Sequence, residues 1–349
     1  MSQLSEASVL EALKTVKDPE LNQDLISLGM VERVEVREEK VSVKINLTTP
    51  ACPLKEKIEG DVRSALEQLG ARQVEVQFGA QVRAPHNLPL PGIKHIVAIA
   101  SGKGGVGKST VAANLAVALA QEGAQVGLLD ADIYGPSQAQ MLGLQNERIR
   151  VDEQKRMLPL DRYGIRLVSM ANIAPPGQAM VWRGPILHGA LRQFLQEVAW
   201  GELDYLLIDL PPGTGDVQLS LSQLTRLSGG VIVTTPQPVA CIDAERALDM
   251  FRRVQVEVLG IVENMAYFEQ NGQRTYIFGQ GGGRRMAEQH KTAFLGEIPL
   301  ALSVREGGDN GVPVVVSHPT APEAEAFRQV ARNLAGRLSV QAQLLLPMA

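Results

Sequence analysis

Five short apolar runs punctuate the chain from residue 96 onward: Ile96–Ala100, Val126–Asp130, Tyr205–Asp209, Val231–Thr235 and Val258–Val262. Stretches with helical spacing separate them. Runs that are apolar at almost every position suit strands buried on both faces and joined by crossover helices. They predict an α/β domain built on a doubly wound, mostly parallel sheet. A last helix is expected over Pro322–Leu338.

The beginning of the chain follows other periods. Leu10, Leu13 and Val16 share one face of a predicted helix over Ser8–Val16, before a turn at Asp18-Pro19. Alternation predicts strands over Val31–Val36 and Lys40–Leu47, then an amphipathic helix over Leu54–Leu69 that stops at Gly70, then a strand over Val74–Phe78. The expected organisation is a small α+β domain over 1–84, an extended linker over 85–92 stiffened by three prolines, and the larger domain over 93–349.

Directly after the Ile96–Ala100 run stands Gly102-Lys103-Gly104-Gly105-Val106-Gly107-Lys108-Ser109-Thr110, followed by a helical pattern over Val111–Ala120. Strand, glycine loop and helix in that order make a phosphate-binding P-loop. The backbone N–H groups from Gly102 to Thr110 and the helix start face the phosphates. Lys108 reaches the β and γ oxygens, and the Ser109 hydroxyl joins the shell of a Mg²⁺ ion. Lys103 lies five residues earlier, on the rim. From there it can contact phosphates held by a facing subunit, which would make ATP hydrolysis depend on a homodimer; a solvated rim lysine is the alternative.

Two further apolar runs end in carboxylates. Asp130 and Asp132 close the Val126 run at the sheet edge where open α/β folds bind ligands. Asp132 is assigned to orienting the attacking water or taking its proton, and Asp130 to supporting the metal shell, with the reverse assignment as the alternative. Asp209, before Leu210-Pro211-Pro212-Gly213, has the Walker B position and would reach Mg²⁺ through water. Asn264, at the end of the Val258 run, is expected at an adenine edge, or else as a buried amide satisfying a loop.

Composition narrows the partners. The 349 residues are 45% apolar and 21% charged, with a formal net charge of -4, so no basic field exists for nucleic acid. No run approaches a membrane span and the first residues lack a signal-peptide pattern, so a cytoplasmic protein without a membrane partner is expected. Only two cysteines occur, Cys52 and Cys241. They exclude a disulfide framework. Cys52 precedes a helix start that would favour a thiolate and is a possible cluster or transfer thiol, with a small packed residue as the alternative.

Taken together, Lys-Gly-Gly-Val-Gly-Lys-Ser at 103–109, Leu-Asp-Ala-Asp-Ile-Tyr-Gly-Pro-Ser at 129–137, Asp-Leu-Pro-Pro-Gly-Thr-Gly-Asp at 209–216, Thr-Thr-Pro-Gln at 234–237, Glu-Asn-Met at 263–265 and Arg-Glu-Gly-Gly-Asp at 305–309 resemble the Mrp/ApbC family. The N-terminal unit looks like the small domain of iron–sulfur assembly proteins. The resemblance runs over nearly the whole chain. It implies an ATP-hydrolysing iron–sulfur cluster carrier or assembly protein, related to MinD, ParA and the nitrogenase iron protein, with iron–sulfur assembly or client apoproteins as partners. One departure bears on the cargo. Cluster-carrying relatives have Cys-x-x-Cys after Glu-Asn-Met, where Tyr267–Gly279 contains no cysteine. Without that pair, a MinD- or ParA-like switch that holds no cluster is the alternative.

Overall fold

The computed structural model describes residues 4–19, 21–82, 90–173, 184–213 and 215–344. The chain divides into two compact units, residues 1–83 with 335–349, and residues 84–334. Most of the expected linker, and Val181–Arg183, lie outside the described residues.

In the first unit, α1 (Glu6–Leu13) starts two residues before the pattern predicted. The reason is local: Ser5 and Ser8 exchange side-chain and backbone hydrogen bonds in a capping box. Strands β1 (Val31–Arg37), β2 (Lys40–Leu47) and β3 (Gln73–Ala80) form a sheet in the order β1-β2-β3, with α2 (Lys55–Gln68) in the crossover from β2 to its parallel neighbour β3. Val41, Val43, Ile45 and Leu47 alternate inward from β2, where Ile58, Val62 and Leu66 of α2 complete a buried cluster with Val9 and Leu13.

The second unit holds β4 (Ile93–Ala100), α3 (Lys108–Gln121), β5 (Val126–Asp130) and the four-residue α4 (Gln138–Met141). A small antiparallel pair, β6 (Arg150–Val151) and β7 (Met157–Leu158), precedes β8 (Leu160–Arg162) and β9 (Ile165–Ser169). Next come α5 (Gly184–Gln196), β10 (Leu203–Asp209), α6 (Asp216–Leu224), β11 (Gly229–Thr234), α7 (Pro238–Arg253), β12 (Val258–Gln270) and β13 (Gln273–Thr275). The chain continues through α8 (Gly282–His290), β14 (Phe294–Leu300), α9 (Leu302–Asn310), α10 (Val314–Ser317) and α11 (Pro322–Leu344), the last shared between the units.

The sheet order is β13-β12-β11-β4-β10-β5-β9-β8, with β14 also paired to β12. All pairings are parallel except β12 with β13 and β8 with β9. This is the doubly wound, mostly parallel sheet the apolar runs predict. Two of its strands are less plain in sequence. In β9, Arg166 interrupts the apolar run, and its guanidinium donates to the backbone carbonyls of Trp200 and Glu202. In β14, Gly296 and Pro299 are strand breakers, tolerated beside β12 alone. No helix among the described residues is long and apolar enough to cross a membrane.

Candidate nucleotide and metal site

Strand register builds the site. Asp209 lies opposite Ile99 on one side and Asp130 on the other, and Asp130 lies opposite Ser169. The phosphate loop, two carboxylates and a hydroxyl therefore meet at one carboxyl edge of the sheet, where parallel α/β sheets present ligand sites.

The loop itself depends on its glycines. Gly105 and Gly107 have φ of +83° and +80°, a region that favours glycine. A Cβ at Gly107 would also collide with the Asn264 amide, and one at Gly102 would strike the backbone of Asp243 and Ala244 in α7. The loop is thus wedged between β12 and the start of α7. The Asn264 Nδ2 donates to the Val106 carbonyl at 2.8 Å, so that amide nitrogen serves the loop. Its neighbours divide the remaining work. Glu263 accepts from the backbone N–H of Gly281 and Gly283 and caps α8, and burial raises its pKa. Met265 adopts φ +55° where β12 slips register against β14, which places it beside a cleft of about 300 Å³. That cleft, lined by Thr110, Asn264, Pro299, Leu300 and Arg305 among others, adjoins the phosphate loop and has room for a base.

The charged centre lies beneath the loop. Lys108 and Asp209, 6% and 0% exposed, form an ion pair, and the Lys108 ammonium also donates to the Ser109 hydroxyl at 3.2 Å. Asp130 is fully buried and accepts from Ser169 Oγ at 2.9 Å, Gln138 N at 3.0 Å and Asp132 N at 3.2 Å. Burial first, and the neighbouring Asp209 charge second, push its pKa up to about 7. Asp132 is half-buried on the wall of a cleft of about 220 Å³ that Lys103, Lys108, Ser109 and Thr110 also line. Burial raises its pKa against the opposing pull of Lys108. Lys103 stands on the rim of the same cleft, its backbone carbonyl accepting from Ser101 Oγ at 3.0 Å.

Ser109 and Asp209 offer hard oxygen donors suited to Mg²⁺, while the Asp130 oxygens already accept from Ser169, Gln138 and Asp132 and can support the shell indirectly. Buried Gln138 adds a carbonyl oxygen that has no hydrogen-bond partner. Among the described residues no cluster of three or more His, Cys, Asp or Glu forms a cage of protein ligands. The oxygen donors of the site fit Mg²⁺ held jointly with a nucleotide.

Three contributors are not evident from sequence. Gln138 donates through Nε2 to Asp209 at 2.8 Å and to the Ser109 carbonyl at 3.0 Å. Ser169 steadies Asp130, and Gln218 donates to the carbonyls of Pro211 and Gly213 at 3.3 and 2.9 Å. Only Ser169 had a signal, as the residue ending the run Ile165-Arg166-Leu167-Val168. Cys52 belongs to the other unit, half-buried against its apolar core just before α2, and Cys241 lies in the first turns of α7. Residues 267–279 span the end of β12, all of β13 and the turn after it; there Glu269 is ion-paired with Arg274 at 3.0 Å.

Comparison with known proteins decides the family. Residues 92–335 match the family model described as NUBPL iron-transfer P-loop NTPase, and residues 6–78 match that of iron–sulfur cluster assembly proteins. The chain belongs to the iron-transfer P-loop NTPases. Among the relatives of this NTPase, the iron–sulfur cluster carrier protein of Deinococcus radiodurans is 58% identical over 97% of both chains. The carrier protein of Synechocystis is 48% identical over 97% of this chain and 99% of its own. A nucleotide-binding protein of Archaeoglobus fulgidus, solved in complex with ADP, is 44% identical with a TM-score of 0.57, covering 64% of this chain and 88% of that one. The cell-division ATPase MinD of Pyrococcus furiosus, 22% identical with a TM-score of 0.53 over 68% and 97% of the chains, shares the fold.

Proposed function

We propose that this chain is a homodimeric, Mg²⁺-dependent ATPase that carries iron–sulfur clusters to client apoproteins in the cytoplasm. The observation that carries the nucleotide half is the buried Lys108–Asp209 pair beneath a strand–loop–helix with room for phosphates. Phosphate oxygens compete with Asp209 for the Lys108 ammonium. With Lys108 drawn to the phosphates, Asp209 would be free to hold Mg²⁺ through water. Mg²⁺ would supply charge neutralisation at the phosphates. Asp130 stays behind Asp209 and supports the shell indirectly, since its oxygens serve Ser169, Gln138 and Asp132. Asp132, with its raised proton affinity and its place on the cleft wall, orients the attacking water and takes its proton.

Lys103 acts on the partner copy. The surface around the cleft supports such an interface: Tyr134, Val239 and Ile242 are 66%, 63% and 53% exposed, and the latter two lie in α7 just before the Asp243–Ala244 backbone that abuts Gly102. Apolar side chains of that size left in solvent favour burial against a second copy.

The cargo half rests on the family and its relatives. One chain has only Cys52 and Cys241, in separate units, so four thiolates for a cluster must come from more than one chain. Cys52 is the thiol we assign to receiving or passing the cluster, together with thiolates of the partner copy or the client. The test is ATP turnover with sizing in solution. Lys108→Ala is expected to lose nucleotide binding. Lys103→Ala should keep binding and monomer folding yet lose about 10²–10³-fold in turnover. Undiminished turnover in Lys103→Ala rejects the dimer mechanism.

A further inference from the structure

The side-chain amide of Gln138 is fully buried and has one forced orientation. Its nitrogen faces two acceptors, Asp209 Oδ2 at 2.8 Å and the Ser109 carbonyl at 3.0 Å. Turning the amide over would set its oxygen against both, so the assignment follows from the partners themselves. The backbone N–H of the same residue donates to Asp130 Oδ2 at 3.0 Å. One residue thus ties the phosphate loop, the Asp130 strand end and the Asp209 strand end together. The amide oxygen is then left over: it is buried and nothing donates to it. Buried acceptors ordinarily find a donor, and an unfilled one beside two carboxylates calls for a ligand that brings hydrogens.

We propose that Gln138 is a positioning residue for the metal, holding Asp209 through Nε2 and offering Oε1 to a water of the Mg²⁺ shell. The inference rests on the Mg²⁺–nucleotide reading above and deepens it. A hydrated cation is the ligand that matches, because its waters are strong donors and the same amide already holds Asp209, one of the oxygens suited to it. Lys108 cannot fill the role, since it pairs with Asp209 and Ser109 and is drawn off by phosphate. Gln138 therefore acts on the affinity for Mg²⁺ in the nucleotide complex more strongly than on affinity for the nucleotide alone, which it reaches only through the Ser109 carbonyl. A residue needed only for folding would weaken both alike.

The experiment titrates Mg²⁺ into the full chain with a fluorescent ADP analogue, alongside binding in EDTA, for wild type, Gln138→Met and Gln138→Ala. Methionine keeps the length and removes both polar atoms; alanine removes them with the rest of the side chain and carries the test if Gln138→Met fails to fold. In each variant half-saturation is expected at about tenfold higher Mg²⁺, as for the loss of one hydrogen bond to a charged group, with a smaller loss of binding in EDTA. Unchanged half-saturation in both variants, or equal weakening with and without Mg²⁺, would each overturn the proposal. Wild-type binding indifferent to Mg²⁺ would instead remove the metal–nucleotide reading on which it rests.

Discussion

A carboxylate buried beside another carboxylate is held at a cost, and Asp130 shows which way that cost runs with pH. Its pKa is raised from the ordinary value of 3.8 to about 7 in the folded chain. The folded state then binds more protons than the unfolded state between these values. Stability therefore falls as pH rises from about 4 through 7, and changes little from this source above that. Asp130→Asn, which can still accept from Ser169 and Gln138, should flatten that slope in thermal melts without Mg²⁺ or nucleotide. A wild-type curve already flat over the range would contradict the burial argument. Gly107 supplies a second residue-level prediction. Alanine there meets both the left-handed φ and the Asn264 amide, so Gly107→Ala should cost about 1–2 kcal/mol in unfolding free energy from the backbone alone, more with the clash, and lose ADP binding in calorimetry. The sequence made Lys108, Ser109, Asp132 and Asp209 legible because motif spacing encodes them. Gln138 was not legible: a glutamine in a polar turn looks like surface until the fold buries it between Asp130 and Asp209.

Among the elements, the loop after β10 and the start of α7 govern how the phosphate loop is framed. Gln218 of α6 holds the carbonyls of Pro211 and Gly213 from below. Removing that amide in Gln218→Ala should leave both carbonyls without their buried donor and speed hydrogen exchange around Gly213 and Gly215, while β10 itself stays protected. Equal exchange in both proteins would show that α6 does not restrain the loop. The five central strands could be read from their continuous apolar runs, since burial on both faces leaves that trace. Strands β9 and β14 left little trace. An arginine answered by carbonyls far along the chain, and a glycine and proline beside a single partner, hide a strand from any local pattern. The start of α1 was displaced for a similar reason, because a reciprocal serine box outranked apolar spacing.

For the whole molecule, the larger unit carries the phosphate loop and the exposed apolar side chains proposed to face a second copy, and the smaller one carries Cys52. The family is legible in the motifs, whereas the cargo site is not: Tyr267–Gly279 has no cysteine, and the β12–β13 hairpin there holds an ion pair and aromatic side chains. Anaerobic reconstitution with iron and sulfide should give a cluster in wild type and much less in Cys52→Ala, read by absorbance and iron per dimer. A cluster of equal yield in both would move the cargo thiol elsewhere.

Nucleotide and cargo meet most directly in the transfer of a reconstituted cluster to an apo-enzyme whose activity returns on loading, measured with and without Mg²⁺–ATP for wild type and Lys108→Ala. Wild type should restore the acceptor at a rate that ATP changes, while Lys108→Ala should give a rate indifferent to ATP. Transfer by wild type at a rate independent of ATP, or no transfer at all, would contradict a nucleotide-dependent carrier.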